Sequence, residues 1–247
     1  MRRRDLAAAT LVLILLWQLA SWLVRSEVLP GPWAVGQALV AALPRGLARH
    51  FVVSLWRVVA GILISMLLAT PAGLVLGQSR ALDRIFAPMV YIVYPIPKIV
   101  FLPVILLLLG IGDTSKIFII FLILFFQILV VVRDQASALR PELLYSVRSL
   151  GAGRRGLFRF VYLPATVPAA LTALRVSIGT AIAVLFFTET FATTSGLGYY
   201  IIVDSWGRLA YADMYAGVVA MSLLGLLLYF VVDRLERRLA PWMFVRE

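Results

Sequence analysis

Charged side chains within apolar stretches are the first candidates for chemistry in this chain. Lys98 follows Pro95 and Pro97 inside a long apolar run. A proline in a helix removes a backbone hydrogen bond and clashes with the preceding turn, so the run is expected to kink or unwind there. Broken helices with a nearby cation often meet anions at the middle of a membrane, although such a cation also snorkels or pairs with a carboxylate. Lys98 is therefore either a residue of the substrate pathway or a cation with a structural role.

Glu189 is a second charge inside an apolar run, and it lies among threonines that include Thr193. Their hydroxyls are expected to satisfy the carboxylate, which would act as a gate residue or as a lock between helices. One acid alone does not support proton-coupled transport, which usually needs a relay partner in the bilayer. Gly196 and Gly198 follow and predict a tight outer turn. That turn is either a plain loop or part of a vestibule that contacts a substrate-delivering protein.

Catalytic and metal chemistry is not expected, because the residues that it requires are missing. The chain has no GxxxxGK[ST] loop to cradle phosphates, so ATP hydrolysis is not assigned to it. No Ser/His/Asp, Cys/His or paired-carboxylate site within the apolar runs is evident. Cysteine is absent and His50 is the single histidine, which argues against thiolate and zinc sites. Energy for any transport must therefore come from another protein or from an ion gradient.

The composition indicates that the candidate residues lie in a membrane. The 247 residues are 62% hydrophobic and 14% charged, whereas a soluble domain is about 45–50% apolar and about 25% charged. Six apolar runs are each long enough to cross about 30 Å of hydrocarbon as a helix. They cover residues 6–24, 52–77, 85–110, 115–132, 167–192 and 214–232. The chain is therefore predicted to be an all-α membrane protein with six transmembrane helices.

Arginine and lysine are distributed unevenly between the two sides that these spans define. Sixteen of the 23 fall on the side of the termini, of the loop around Arg80 and Arg84, and of the loop 133–166; at most seven fall on the other. The positive-inside rule then places both termini and the 133–166 loop in the cytoplasm. The net charge of +11 is explained by this orientation, so membrane lipid is an expected partner and nucleic acid is not.

The loop between the fourth and fifth spans carries a basic segment punctuated by glycine, residues 141–164, which we call the coupling segment. Its four arginines keep it outside the bilayer. Gly151 and Gly153 predict a sharp turn between a first helix and a second amphipathic piece that ends at Leu163 and Pro164. Such a helix-turn-helix would dock in a groove on a partner or lie on anionic lipid. The apolar stripe of the first helix consists of Leu143, Leu144, Val147 and Leu150.

The coupling segment resembles the conserved cytoplasmic loop of ABC importer permeases, the EAA loop. In that family a glycine is followed at a fixed distance by an aromatic residue and by an Ile-x-Leu-Pro-like element. The matching residues here are Gly151, Phe158, Val161, Leu163 and Pro164. The stretches 54–77, 95–116 and 189–201 look like those of the branch that imports nitrate, sulfonates, taurine and bicarbonate. The likeness thus covers about residues 54–201.

The chain departs from this family at the motif that gives the loop its name. Tyr145, Ser146 and Val147 stand where the family has Glu-Ala-Ala, and the nearby acid is Glu142. The acidic contact that the resemblance implies is therefore missing or supplied by Glu142. The shape of the segment and its apolar face are retained.

The resemblance implies a permease subunit of an ATP-driven importer in the bacterial cytoplasmic membrane. Two copies would form the pathway, two ABC ATPase subunits would carry ATP and Mg, and an extracytoplasmic solute-binding protein would deliver the substrate. No cofactor is expected in this chain. The substrate class would be a small organic or inorganic anion such as a sulfonate, nitrate or bicarbonate. The alternatives are an ion-coupled secondary transporter and an importer of the same branch for a neutral or cationic heterocycle.

The predicted organisation follows from these assignments. Residues 1–50 form a transmembrane helix with an outer interfacial segment, residues 51–234 form a permease core with the coupling loop 137–166, and residues 235–247 form a cytoplasmic tail. The predicted substrate pathway consists of Pro95, Pro97, Lys98, Glu189 and Thr193, and the outer turn of Gly196 and Gly198. The predicted ATPase-coupling residues are Glu142, Tyr145, Arg148, Leu150, Gly151, Ala152, Phe158, Leu163 and Pro164.

Overall fold

Helices joined by short connections make up most of residues 3–243, the part of the chain that the computed structural model describes. The last four residues of the predicted tail, Phe244–Glu247, lie outside the described residues, as do Met1 and Arg2. The first six helices are α1 (Arg3–Val24), α2 (Pro32–Ala42), α3 (Ala48–Gln78), α4 (Arg80–Val93), α5 (Leu102–Leu109) and α6 (Asp113–Ser137). The remaining five are α7 (Pro141–Ser149), α8 (Arg154–Leu157), α9 (Leu163–Thr190), α10 (Leu197–Tyr199) and α11 (Tyr211–Leu239).

Short segments of other helix types join several of these elements. Turns with i→i+5 hydrogen bonds cover Leu43–Leu47, Phe158–Tyr162 and Tyr200–Ser205. Turns of 3-10 type cover Lys98–Phe101, Trp206–Arg208 and Pro241–Met243. The chain forms two compact units, one of residues 1–55 and 186–224 and one of residues 56–185 and 225–247.

Five helices within residues 3–243 are long and apolar enough to cross a membrane, and a bent pair adds a sixth. The pair consists of Arg80–Val93 and Lys98–Leu109, whose axes differ by 77°. The break coincides with Pro95 and Pro97, as the sequence predicts, because neither residue can donate the backbone bond that would continue α4. Counting the bent pair as one span gives the six predicted spans, with the third one broken.

One boundary predicted from the sequence is wrong. The second piece of the coupling segment does not end at Leu163 and Pro164, because a continuous helical stretch runs from Arg154 to Thr190. The wider turn at Phe158–Tyr162 directly precedes Pro164, where an ordinary α-helix would suffer the proline clash with the carbonyl four residues earlier. The coupling segment is therefore joined to the fifth span without a loop.

The larger unit is held together by close packing of α3 on α6. A Cβ on Gly73 would lie 2.8 Å from the carbonyl oxygen of Leu129, and one on Gly61 would lie 2.6 Å from Cγ2 of Ile120. Small residues at these positions let two apolar helices approach closely, which is how helices associate where water provides no driving force. The seam contains fully buried side chains, among them Val58, Ala69, Ile119, Ile120, Leu124 and Ile128.

Candidate functional site

The Glu189 carboxylate is the centre of a buried polar cluster in the unit of residues 1–55 and 186–224. Glu189 is fully buried near the end of α9. Its oxygens lie 2.7 and 2.9 Å from Oγ of Ser54, and the backbone N–H of Gly198 donates to Oε2 at 3.0 Å. Ser54 Oγ also accepts from the N–H of Leu197 at 2.7 Å. The acid thus ties α9, α3 and the outer turn together, and we call Ser54, Glu189 and residues 196–198 the outer clasp.

The outer clasp requires glycine at both ends of the turn. Gly196 has φ +114°, a conformation that L-residues rarely adopt. A Cβ on Gly198 would lie 2.7 Å from both Cβ of Glu189 and the carbonyl oxygen of Phe186. The sequence predicts this tight turn, and the structure shows that the glycines also leave room for the buried acid.

Two aromatic residues and a histidine flank the outer clasp. The N–H of Gly196 donates to Nδ1 of His50 at 3.0 Å, and the imidazole stacks on Tyr199 with ring centroids 5.8 Å apart. Tyr200 packs against the same imidazole, and burial, followed by the charge of Asp213, raises the pKa of its phenol. A neutral phenol is thus retained well above neutral pH. Motif analysis missed both Ser54 and His50 as partners of the turn.

Thr193 lies at the bend before the outer turn. Its hydroxyl donates to the carbonyl oxygen of Ser195 at 3.0 Å and so closes the bend that leads into the outer turn. The carboxylate of Glu189 accepts hydrogen bonds from Ser54 and Gly198.

Lys98 caps the broken third span. Its side chain is 8% exposed, and Nζ donates to the carbonyl oxygens of Val93 and Tyr94, both at 2.9 Å, and of Ile96 at 3.2 Å. The last carbonyls of a helix lack partners within it, and a cation there also opposes the helix dipole. The ammonium lies 4.6 Å from the centre of the Phe126 ring. Lys98 therefore satisfies the helix end that Pro95 and Pro97 create.

A cavity of about 360 Å³ opens beside this break. The side chains that line it opposite the prolines come from α6 and α9 and include Phe126, Gln127 and Thr180. Oε1 of Gln127 is buried without a hydrogen-bond partner. The structure thus places the predicted residues Pro95, Pro97 and Lys98 on one cavity, together with polar side chains that the sequence pattern did not single out.

Arg57, within the second predicted span, is another buried cation. Arg57 is 2% exposed within α3, and its guanidinium binds Asp113, the first residue of α6, at 2.7 Å. The carboxylate also lies in the first turn of α6, where a negative charge is favoured by the helix dipole. Arg57 thus joins two helices of one unit.

The coupling segment contains the predicted glycine elbow. Gly151 has φ +84°, its N–H donates to the carbonyl of Arg148 at 2.9 Å, and the N–H of Ala152 donates to that of Val147 at 3.3 Å. These two bonds and the left-handed glycine form a Schellman C-cap, which ends α7. Gly156 lets α8 return onto the elbow, since a Cβ there would lie 2.9 Å from Cβ of Ala152. Two helices therefore meet at a defined angle.

The surface of the coupling segment is apolar and basic. Leu157 and Val161 are buried, whereas Leu150 is 85% exposed. The arginines of the segment and Glu142 are exposed as well. The other exposed large side chains are Leu143, Tyr145, Phe158, Phe160 and Leu163. An apolar surface of this kind outside the spans is typical of a protein contact.

Comparison with known proteins gives one family and several relatives. The family described as binding-protein-dependent transport system inner membrane component matches residues 51–245. The taurine transport system permease protein TauC of Escherichia coli is 31% identical over 98% of this chain and 90% of its own length. The formylaminopyrimidine transport permease protein ThiX of Halalkalibacterium halodurans is 25% identical over 94% of this chain and 93% of its own length.

Two further comparisons bear on substrate class and fold. The putative aliphatic sulfonates transport permease protein SsuC of Bacillus subtilis is 27% identical over 94% of this chain and 84% of its own length. An inward-facing structure of the MetNI methionine ABC transporter superposes with a TM-score of 0.65 over 78% of this chain and 95% of that chain. Its sequence identity of 22% makes this a similarity of fold.

Proposed function

Because this chain belongs to the family of binding-protein-dependent transport system inner membrane components, we propose that it forms the substrate pathway of an ATP-driven importer as a dimer. It is a multi-pass permease component and not itself the ATPase. The proposed partners are a second copy, two ABC ATPase subunits that bind ATP and Mg, and an extracytoplasmic solute-binding protein. Both termini and the coupling segment face the cytoplasm, as the distribution of arginine suggests.

The exposed coupling segment carries this proposal. It combines a rigid glycine elbow with apolar side chains that are exposed to solvent, and it extends directly into α9. Exposed apolar surface is unfavourable in water, so a partner that covers the coupling segment would stabilise it. A pair of short helices can bind in a groove on such a partner. Movement of the ATPase subunits then changes the position of the span that follows, which alternates access to the pathway.

The proposed pathway passes the cavity at the broken third span. The cation of Lys98 and the amide of Gln127 lie at this cavity, and a positive charge at membrane depth favours an anionic solute. The names of TauC and SsuC specify taurine and aliphatic sulfonates. We therefore take a small sulfonate as the first substrate class to test. The name of ThiX specifies a formylaminopyrimidine, so a neutral or cationic heterocycle is the alternative.

Reconstitution tests the importer. Liposomes that contain the permease, the ATPase subunits and the solute-binding protein should accumulate a radiolabelled sulfonate only with internal ATP and Mg. Omission of the ATPase or of the binding protein should reduce uptake to the level of empty liposomes. Uptake by the permease alone, driven by a proton or sodium gradient, would instead identify an ion-coupled secondary transporter.

Replacement of Lys98 by glutamine is expected to reduce the initial rate of sulfonate uptake several-fold. The amide retains up to two of the three hydrogen bonds to the end of α4, but the charge that favours an anion is lost. Thermal unfolding of the purified permease, measured beside uptake, separates the two effects. Lys116→Gln is the matched control, because Lys116 is 1% exposed and binds the carbonyl of Gly112 without lining the cavity. Unchanged uptake in Lys98→Gln would leave Lys98 as a helix cap only.

A further inference from the structure

The last described turn of the chain packs beside the coupling segment. The turn Pro241–Met243 follows α11 without a gap, since the N–H of Ala240 donates to the carbonyl of Glu236 at 2.9 Å and that of Met243 to Ala240 at 3.1 Å. Trp242 lines a cavity of about 280 Å³. The same cavity is lined by Leu143 and Val147 of α7 and by Phe160 and Val161 of the turn before α9.

A buried polar network fixes α11 against α9 immediately before this turn. Glu236 is 2% exposed, accepts a hydrogen bond of 2.6 Å from Thr172 Oγ1, and lies 3.0 Å from the guanidinium of Arg175. The same guanidinium lies 3.3 Å from Asp233. The net stability of a buried ion pair is small because both charges lose hydration, but its geometry is specific. The network therefore defines one rotation and one register of α11 on α9.

The coupling segment needs such support because α7 is short and mostly exposed. A helix of nine residues is not stable alone in water. Its half-buried side chains are Leu144 and Val147. Trp242, in the turn that follows α11, is 53% exposed and lines the same cavity as Val147. The C-terminal turn thus places a large aromatic side chain beside this helix.

We propose that Trp242 is a positioning residue for the coupling segment: its half-exposed indole lines one cavity with α7 and the Phe158–Tyr162 turn and holds the docking surface in the orientation that the ATPase engages. Glu236 and Arg175 keep α11 in the register that delivers this indole. The proposal rests on the coupling function proposed above. It assigns to the end of the chain a mechanical role in coupling.

The test uses Trp242→Ala in the assembled importer with two readouts. Hydrogen exchange of the amides in residues 141–149 should become at least tenfold faster in the purified permease, because α7 loses its apolar support, while exchange in α3 and α6 stays the same. The number of ATP molecules hydrolysed per sulfonate imported should rise several-fold. Trp242→Phe should restore most of both properties. Trp33→Ala is the control, since Trp33 is 78% exposed on α2 and lines a different cavity.

Val147→Ala provides a second route to the same result if Trp242→Ala is poorly expressed. It shortens a side chain of α7 that lines the cavity with Trp242, so it should also accelerate hydrogen exchange in α7. Unchanged exchange in residues 141–149 would overturn the proposal, whether or not coupling is lost, because a coupling defect without loosening means that Trp242 contacts the ATPase directly. An unchanged number of ATP molecules hydrolysed per sulfonate imported in Trp242→Ala, beside a defective Gly151→Pro, would overturn this inference alone. Normal uptake in both variants would overturn the coupling function itself.

Discussion

Replacing Gly151 by proline is expected to abolish ATP-driven uptake while the protein still inserts into the membrane. Gly151 has φ +84° and donates its N–H to Arg148, whereas proline is fixed near φ −65° and has no N–H. The Schellman cap is lost, so α7 cannot meet α8 at its native angle. Because the elbow is exposed and a Cβ at Gly151 has no neighbour within 4 Å, the defect should be confined to docking.

Asparagine, alanine and proline at position 151 separate the effect of backbone conformation on uptake from the effect of side-chain size. Alanine costs about 1–2 kcal/mol in the left-handed region and should reduce uptake partly, whereas asparagine tolerates that region and should approach the wild type. Gly153→Ala is the matched control, since Gly153 has φ −76° and no heavy atom within 4 Å of an added Cβ. Uptake and binding of the ATPase subunits should fall in the order asparagine, alanine, proline. Normal uptake in the proline variant would contradict the docking role of the segment.

Replacing Glu189 by alanine is expected to open the outer clasp. The N–H of Gly198 and the hydroxyl of Ser54 lose their buried acceptor, and an unsatisfied buried polar group costs about 1–3 kcal/mol. The thermal unfolding temperature should therefore fall by several degrees and uptake should be largely lost. The chain contains no cysteine, so a single Leu197→Cys reports the opening. Leu197 is fully buried, and its thiol should react with a maleimide only in the alanine variant.

Glutamine at position 189 separates the hydrogen bonds of the clasp from its charge. Its carbonyl can accept from Gly198 and its amide can donate to Ser54, so Glu189→Gln should retain most of the stability and protection. Glu27→Ala, at an exposed position of the same unit, should change neither property. If Glu189→Gln behaves like the alanine variant, the carboxylate charge is required and a gate role replaces the lock. An unreactive thiol in Glu189→Ala would contradict the clasp.

The features that were predictable from the sequence depend on covalent geometry or on solvent. Pro95 and Pro97 restrict their own backbone, so the break in the third span was evident without any tertiary contact. Gly151 lies at the elbow because the left-handed C-cap favours glycine over other residues. The spans follow from the length of the apolar runs, since lipid requires a helix to satisfy its own backbone.

The partners of the buried charges were not predictable, because they depend on which helix faces meet. Ser54 and Glu189 are separated by 135 residues, and no periodicity identifies that pair. Lys98 is a different case, because its acceptors lie only two to five residues away and are the carbonyls that a broken helix leaves unsatisfied. The helix boundary at Pro164 was mispredicted because the wider turn that accommodates the proline has no signature in residue type.

The broken third span has a consequence for how this protein is made. The segment Lys98–Leu109 extends only about 18 Å at 1.5 Å per residue, and Arg80–Val93 about 21 Å, whereas the hydrocarbon layer is about 30 Å thick. Neither piece is a stop signal for the insertion machinery by itself. We therefore expect the two pieces to enter the membrane together, with α6 following after a three-residue connection.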